Sequence, residues 1–582
     1  MKRCPQCNRA ENDDALTFCR VDGTPLASES GSVNEDAGTL KFSPSQGTDT
    51  TETRILPTGE TLNRPTAPTT VLDARRASGG TRELSKTKSR RGIVIAAAAI
   101  VVVALTASAY YYLSRGKDAA AKNSIAVLPF VNASSDPDVE YLSDGISESL
   151  INSLSQLPNV RVLARSTMFS FKGKELNPQV VGKQLGVDVV LTGRVVQRGD
   201  SLTVQTDLVN VADGSQLWGE RYHRKQTDLL AVQEEIVRDV SGKLRARLSG
   251  AGGKQVVKAY TENAEAYQLY LKGRFHWNKR TEEGLRRGVE FFQQAIDKDP
   301  NFALAYVGIA DSYILLGIPE ALTGVVPTRE ALAKARAAAE RALEIDNTLA
   351  EAHSSLAHVK FTGRDWPGAE EEFRHSIALN PSYATAHHWY ALYLSNLGRF
   401  EEALREIRRA QEIDPLSLPI NTNAGFVLYA ARRYDEAVEQ GRKTVDLDST
   451  FALARNRLGL AYEQKGMYKE AVAEFLEAAA YSNRHPNVLA ALAHVLAVSG
   501  DRNEAQKVLG ELMELSGRRY VAPYDVAVVY SGLGDKEQTL RWLEKAVERQ
   551  DYINRLKVDP RLDPLRSHPR FADLMRRVGL PQ

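Results

Sequence analysis

The feature that most constrains the fold is a sequence repetition at intervals of 34 residues in the second half of the chain. Small residues recur at this spacing in two separate columns. The first column is Ala357, Ala391, Gly425, Gly459, Ala493 and Ala527, and the second is Ala369, Ala403, Ala437, Ala471 and Ala505. A fixed period of this length is typical of stacked helical hairpins, in which small residues lie where two helices cross closely. We therefore predict an all-α solenoid for this half.

The pattern resembles that of tetratricopeptide repeats (TPRs). Large apolar residues such as Phe373 and Phe475 form a third column between the repeats, and Pro381 and Pro415 end second helices. Counting by this period, we predict about eight repeats over residues 264–551. The resemblance implies a protein-binding function rather than catalysis.

The predicted array is interrupted once and then closed by a cap. The spacing from Ala310 to Ala357 is 47 residues, so we expect a 13-residue insertion, around Ile318–Thr328, to loop out of the second repeat. Residues 552–582 contain a proline-rich turn and a short helix. Because a solenoid must cover its last apolar face, we interpret this stretch as a C-terminal cap.

In a repeat stack of this kind the first helices line a concave groove, where an extended peptide or a helix can bind. The residues that we expect in this groove are His358, His388, Asn396, Thr422, Phe426, Tyr429, Asn456, Leu460 and Glu463. They mix apolar, polar and charged side chains, so we predict a protein or peptide partner. The alternative is that they are solvated positions on helix faces.

Two of these residues, His358 and His388, occupy positions where neighbouring first helices face each other. Paired histidines can bind a metal or respond to pH. Solvated or hydrogen-bonded histidines are the more common explanation of such a pair.

Residues 92–113 carry no charge and read GIVIAAAAIVVVALTASAYYYL. As a helix this segment is roughly 30 Å long, which matches the hydrocarbon core of a bilayer; a buried helix of a soluble domain is the alternative. Basic residues are denser before it than after it: Arg82, Lys86, Lys88, Arg90 and Arg91 against Arg115, Lys117 and Lys122. We predict a single-pass protein of the bacterial inner membrane, with the N-terminus cytoplasmic and the later domains periplasmic or external.

The 3 cysteines of the chain all lie near its start, at Cys4, Cys7 and Cys19. Cys4 and Cys7 form a knuckle in which two thiolates can grip one tetrahedral ion. The second knuckle has Cys19 and, where a fourth cysteine would stand, Asp22, whose carboxylate is also an acceptable zinc ligand. Residues 1–26 resemble the short zinc ribbons of bacterial membrane proteins, which implies a structural zinc. A metal-free ribbon is the alternative.

Between the ribbon and the membrane segment, residues 27–91 are rich in Ser, Thr, Gly and Pro and show no hydrophobic period. Such a composition cannot bury enough apolar surface to order itself, so we predict a disordered linker.

The stretch from 123 to 250 has the alternation of an α/β domain. The apolar run 124–131 predicts a strand, and apolar residues at helical spacing from Ile146 to Leu157 predict a helix. Asn177, followed by proline, is typical of a helix start. Three strands, around 187–196, 202–211 and 216–223, are separated by the turn sequences Arg198-Gly199-Asp200 and Asp213-Gly214, and a helix follows over about 228–248.

At SIAVLPF, EYLSDGISESLINSLSQLPNVRVLAR, GVDVVLTGRV and QLWGERYHR this stretch is similar to the TolB amino-terminal-like (FlgO-like) domain. In bacteria that domain commonly follows a membrane helix and precedes TPRs. The resemblance implies a signalling or envelope-interaction role and carries no catalytic motif.

The predicted fold class is therefore multidomain: a small zinc ribbon, a single transmembrane helix, an α/β TolB-N-like domain and an all-α TPR solenoid. The net charge of +2 does not favour a nucleic-acid partner. We predict a membrane-bound scaffold or signalling protein without enzymatic activity, and the Ala-rich membrane segment would permit a homodimer. An envelope or secretion-assembly factor is the main alternative, and an enzyme with its active site in the α/β domain is a lesser one.

The zinc assignment leads to a direct test. We expect the purified full-length protein to contain one zinc ion per chain, and Cys4→Ser to lose it, because so short a ribbon has almost no core without its ion. Elemental analysis measures the ratio, with Ser30→Ala in the linker as the control. A wild-type protein without stoichiometric metal would exclude the predicted site.

Overall fold

A computed structural model describes residues 124–134, 136–157, 160–174, 177–247 and 260–580, and three two-residue strands near the N-terminus. These are β1 (Lys2–Arg3), β2 (Ala10–Glu11) and β3 (Ala27–Ser28), which form an antiparallel sheet with β1 in the centre. The predicted zinc ligands Cys4, Cys7, Cys19 and Asp22, the predicted linker beyond Ser28 and the predicted membrane segment 92–113 lie outside the described residues.

The chain forms two units, Met1–Ala97 and Ala98–Gln582. All residues described from 124 onward belong to the second unit. None of the helices described is both long and apolar enough to cross a membrane.

A mixed sheet forms the first part of this unit, in the strand order β6-β4-β7-β8-β9, with β5 also paired to β7. Strand β4 is parallel to β6 and β7, whereas β7, β8 and β9 form an antiparallel meander. The elements are β4 (Ser124–Val127), β5 (Val131–Asn132), α1 (Glu140–Ser155), β6 (Arg161–Val162), α2 (Arg165–Phe169), α3 (Pro178–Leu185), β7 (Val189–Arg198), β8 (Ser201–Asn210), β9 (Gln216–Lys225) and α4 (Leu229–Arg247). The predicted α/β class is confirmed.

Local signals in this domain are confirmed at two places. The side chain of Asn177 accepts a hydrogen bond from the N–H of Gln179 at 2.8 Å and caps α3, whose first residue is Pro178. The hairpin between β7 and β8 pairs Arg198 with Ser201, and Gly199 takes the left-handed conformation at φ 55° that this turn requires. The short helix α2 was not predicted.

Sixteen helices follow within residues 260–550, all of which are described, and they pack as eight antiparallel pairs. They are α5 (Ala264–Trp277), α6 (Glu282–Lys298), α7 (Ala303–Leu316), α8 (Thr328–Ile345), α9 (Ala350–Thr362), α10 (Trp366–Leu379), α11 (Ala384–Asn396), α12 (Phe400–Ile413), α13 (Leu418–Ala430), α14 (Tyr434–Leu447), α15 (Ala452–Gln464), α16 (Tyr468–Tyr481), α17 (Pro486–Ser499), α18 (Arg502–Leu515), α19 (Pro523–Gly532) and α20 (Lys536–Glu548). The predicted all-α TPR solenoid is confirmed. A final helix, α21 (Pro569–Val578), packs on α20.

The prediction that the insertion of repeat 2 loops out is wrong. A short 3-10 turn at Pro319–Ala321 packs on α17, and Leu322 packs against Ala478, Ala479 and Val488. The segment therefore turns inward and contacts repeats 6 and 7. The apolar side chain of Leu322 favours this direction, because it is partly buried there instead of being fully exposed to water.

The α/β domain and the first repeats share one hydrophobic core, which extends from Ile125 in β4 to Leu356 in α9. Helix α1 lies against α5 closely enough that a Cβ at Gly145 would be 2.8 Å from the side chain of Leu271. The two domains are therefore parts of one packed body rather than separate modules on a linker.

Two buried carboxylates fix this docking. Glu148 of α1 pairs with Arg165 at 2.7 Å and with Arg274 of α5 at 2.6 Å. Asp414, in the turn between repeats 4 and 5, accepts hydrogen bonds from the N–H of Thr167 at 3.0 Å and from its hydroxyl at 2.7 Å. The α/β domain is thus bound to repeat 1 and to the turn between repeats 4 and 5, so its orientation on the solenoid is fixed.

Candidate functional site: the covered groove

The nine residues predicted for the groove all lie on first helices. They are His358 on α9; His388 and Asn396 on α11; Thr422, Phe426 and Tyr429 on α13; and Asn456, Leu460 and Glu463 on α15. None of them is more than 7% exposed. The alternative that they are solvated helix faces is therefore wrong. Their role in partner binding remains a prediction.

What covers the groove is the chain itself. The insertion segment (residues 318–328) enters from repeat 2, and the C-terminal segment (residues 551–565) enters after the last repeat. The two segments meet at an ion pair between the carboxylate of Glu320 and the guanidinium of Arg555, whose side chain is 2% exposed. Arg457 of α15 lies 3.9 Å from the same carboxylate. Each segment is thus held by the other as well as by the repeats.

This cluster contains two carboxylates, Glu320 and Asp559, and the guanidinium groups of Arg457, Arg555 and Arg561. Burial raises the pKa of Glu320, although Arg555 and Arg457 oppose the shift. Asp559 binds Arg561 through two hydrogen bonds, at 3.0 and 2.7 Å. Burial of Asp559 opposes its ionisation, but the charges of Arg561 and Arg555 outweigh this effect and hold the pKa of its carboxyl far below the usual range.

The C-terminal segment also forms hydrogen bonds with the repeat helices α9 and α19. The side-chain amide of Asn554 donates to the carbonyl oxygen of Phe361 on α9 at 3.1 Å, and the hydroxyl of Ser531 on α19 donates to the carbonyl oxygen of Arg561 at 2.7 Å. The hydroxyl of Tyr524 on α19 donates to Asp559 at 2.9 Å. Repeats 3 and 8 are therefore joined through this segment.

The two groove histidines lie in different surroundings. The ring of His358 packs edge-on against Trp389 at 4.7 Å between centroids. The Nε2 atom of His388 accepts a hydrogen bond from the amide of Asn423 at 2.8 Å. Burial lowers the pKa of His358 to about 4, and burial together with the charge of Arg280 and the proximity of His358 lowers that of His388 to about 3. Both imidazoles are therefore neutral between pH 5.5 and 7.5.

A metal site at these histidines has no support from the described part of the chain. No group of three or more His, Cys, Asp or Glu side chains among those residues is arranged to hold an ion.

The groove has hydrogen-bonding capacity that the described residues do not use. Four of the predicted residues have a buried polar atom without a partner there: Oδ1 of Asn396, Oγ1 of Thr422, Oδ1 of Asn456 and Oε2 of Glu463. Buried polar groups are usually paired with protein groups or ordered water, so these atoms mark positions along the groove that can accept further hydrogen bonds. The side-chain nitrogens of the two asparagines are paired: Asn396 donates to the carbonyl oxygen of Leu392 at 2.7 Å, and Asn456 donates to Oδ1 of Asn487 at 3.3 Å.

Sequence reasoning missed the residues that hold the covering segments, namely Glu320, Arg457, Arg555, Asp559 and Arg561. Apart from the Asp559–Arg561 pair, their partners lie far away in the sequence, so no local spacing or periodicity relates them. The only available signal is that charged residues interrupt apolar stretches in both covering segments.

Comparisons with known proteins match both parts of the unit. A model described as "HilA/YgeH-like transcriptional regulator, second domain" matches residues 121–241, and the tetratricopeptide repeat model matches residues 384–415 and 452–485. The resemblance of the α/β domain to the TolB amino-terminal-like family remains a prediction. The fold is that of a TPR solenoid packed on an α/β domain.

Three curated proteins illustrate the similarity. "Putative adenylate cyclase 3" of Rhizobium meliloti is 31% identical over 240 residues, 41% of this chain and 40% of that protein. "Transcriptional regulator HilA" of Salmonella typhimurium is 22% identical over 260 residues, 44% of this chain and 45% of that protein. "Type IV pilus assembly protein PilF" of Pseudomonas aeruginosa is 29% identical over 163 residues, 28% of this chain and 60% of that protein.

The chain thus spans less than half the length of the cyclase-named and HilA relatives. A solved structure of Pseudomonas aeruginosa PilF is 23% identical and covers 37% of this chain and 94% of that one, with a TM-score of 0.28.

The ion pair between the covering segments leads to a stability prediction. Glu320→Ala leaves Arg555 buried without its partner, so we expect the free energy of unfolding to fall by about 3–5 kcal/mol. Urea unfolding followed by circular dichroism measures the change. The matched control is Glu330→Ala, because Glu330 forms an exposed pair with Lys334 on α8 at 2.9 Å, and such pairs contribute about 0.3–0.5 kcal/mol. Equal effects of the two substitutions would contradict the assigned role of Glu320.

The depressed histidine pKa values predict a pH dependence with a definite sign. The pKa values of His358 and His388 are about 4 and 3 in the folded state, below the ordinary value of about 6.5. The unfolded chain therefore binds more protons below about pH 6.5, and stability falls as the pH is lowered, by up to about 1.4 kcal/mol per pH unit for each histidine.

We expect the double variant H358Q/H388Q to lose less stability than the wild type between pH 6.5 and pH 4.5. Urea unfolding at several pH values measures the two slopes. The exposed His223, replaced by Gln, serves as the control. A double variant with the wild-type slope would show that these imidazoles are not buried neutral groups.

Proposed function

We propose that this protein is a protein-interaction scaffold whose TPR groove binds a segment of a partner protein. The observation that carries the proposal is that the groove already binds two segments of its own chain. Residues 318–328 and 551–565 are held there by ion pairs and by hydrogen bonds to backbone carbonyls. A partner segment would use the same kinds of contact and would take the place of the C-terminal segment.

The unpaired buried polar atoms of Asn396, Thr422 and Asn456 support this proposal. A partner segment with polar side chains gains hydrogen bonds at these positions that the covering segments do not make. Recognition would therefore depend on the mixed character of the groove rather than on a single charged clamp.

The setting of the scaffold is a further part of the proposal and rests on the sequence alone. We place it at the bacterial inner membrane, anchored by residues 92–113, with a structural zinc held by Cys4, Cys7, Cys19 and Asp22 on the cytoplasmic side. The α/β domain and solenoid would then be periplasmic or external, and the helix would permit a homodimer.

The names of the relatives favour a regulatory scaffold. One relative is named as a cyclase and another as a transcriptional regulator, which are different activities. This chain matches under half of each protein. We attribute the part that they share with this chain to protein interaction, with no catalytic role for the α/β domain and no nucleic-acid partner. The match to PilF favours the second candidate, a factor in envelope assembly.

Site-specific photo-crosslinking tests the groove. A photoreactive phenylalanine replaces Phe426, which faces the groove at 3% exposure, or Tyr481, which is 48% exposed on a second helix. In cells we expect a partner adduct from position 426 and none from position 481. Adducts from position 481 alone would refute the groove as the binding surface. The identity of the captured protein then separates a signalling role from envelope assembly.

A further inference from the structure

A cavity lies at the rim of the solenoid and is lined in part by the C-terminal segment. Its volume is about 610 Å³, and it opens where the helix turns of repeats 4 and 5 meet the C-terminal elements. We call it the rim pocket. It is lined by Gly398, Phe400, Ala430, Arg432, Lys557, Val558, Arg566, Phe571, Ala572 and Met575.

The rim pocket carries an excess of positive charge. Arg432 and Arg566 share one carboxylate, that of Asp563, at 2.8 and 2.6 Å. Lys557 has no ion pair or hydrogen bond with any described residue. Burial and the charge of Arg566 lower the pKa of this lysine. Three cations and one carboxylate therefore leave the pocket positive, with Lys557 as the cation that lacks a counter-charge.

Lys557 is partly buried and lies against Gly398. A Cβ at that glycine would lie 3.6 Å from Cε of Lys557 and 3.9 Å from Nζ. The backbone of Gly398 is left-handed at φ 80°, which favours glycine at this position. Glycine therefore leaves the space beside the lysine side chain free of a Cβ.

The other walls are apolar. Phe571 and Val558 are buried in the floor, whereas Phe400 and Met575 are half-buried. Binding pockets of this size commonly combine an apolar lining with a few polar groups that fix the ligand's orientation. A ligand for this pocket must therefore carry both a negative charge and an apolar group.

We propose that the rim pocket binds an acidic segment of a partner protein, with an Asp or Glu carboxylate on Lys557 and a neighbouring apolar side chain against Phe400 and Met575. This inference rests on the proposed scaffold function and adds a second binding surface, which exists while the C-terminal segment occupies the groove. Charge complementarity favours such a segment, since Arg432 and Arg566, with side chains 35% and 34% exposed, can receive further acidic residues along the rim.

Fluorescence anisotropy with defined peptides tests the inference on the full-length protein. The probe is a labelled ten-residue peptide that alternates glutamate with phenylalanine or leucine. We expect it to bind the wild type, to bind Lys557→Glu at least tenfold more weakly and to bind Lys557→Gln with an intermediate loss. The control is Lys507→Glu on α18, where an exposed lysine pairs only with Glu504; it should bind as the wild type does. Thermal melting confirms that each variant is folded.

Two further probes decide what the pocket recognises. A peptide with serine at every apolar position should bind at least tenfold more weakly, and equal binding would reduce the site to a non-specific basic patch and overturn the inference. Dodecanoate is the second probe, and binding of it without binding of the acidic peptide would identify a small-molecule site, which also overturns the inference. If the wild type does not bind the acidic peptide but still forms crosslinks from position 426, the rim-pocket inference is refuted. The groove proposal is unaffected by that result.

Discussion

The buried ion pair between Glu320 and Arg555 is the interaction on which the form of the solenoid depends. It joins the insertion of repeat 2 to the segment that follows repeat 8. A repeat array is otherwise held only by contacts between neighbours, so its ends are free to change their separation. Here a pair of charges, both removed from water, ties the two ends together inside the groove. Loss of either partner would leave the other charge buried and uncompensated, so each of the two segments requires the other in this position.

The closed groove and the docked α/β domain reinforce each other. Asp414 binds the domain to the turn between repeats 4 and 5, while Glu148 binds it to repeat 1. The α/β domain thus holds repeat 1 and the turn between repeats 4 and 5, and the covering segments hold the repeats together inside the groove. Any partner that enters the groove works against these contacts, so partner binding and the position of the C-terminal segment are coupled in the proposed mechanism.

The rim pocket depends on the same segment, because Lys557 and Val558 reach it only when the C-terminal segment is in the groove. The two proposed binding surfaces therefore share one structural element. A partner can bind the rim pocket only while the C-terminal segment is in the groove. A partner bound in the groove would have displaced that segment.

Local patterns determined much of this protein. Asn177 predicted a helix cap and Gly199 predicted a hairpin, because each depends on residues a few positions apart. The small residues of the Ala357 column predicted close helix crossings, because they recur at a fixed interval. The groove residues, too, could be assigned to first helices from the period alone. The direction of the insertion, the pairing of Glu320 with Arg555 and the assembly of the rim pocket were decided only by the tertiary structure. They depend on small rotations summed over many repeats, which bring distant residues together without leaving a pattern in the sequence.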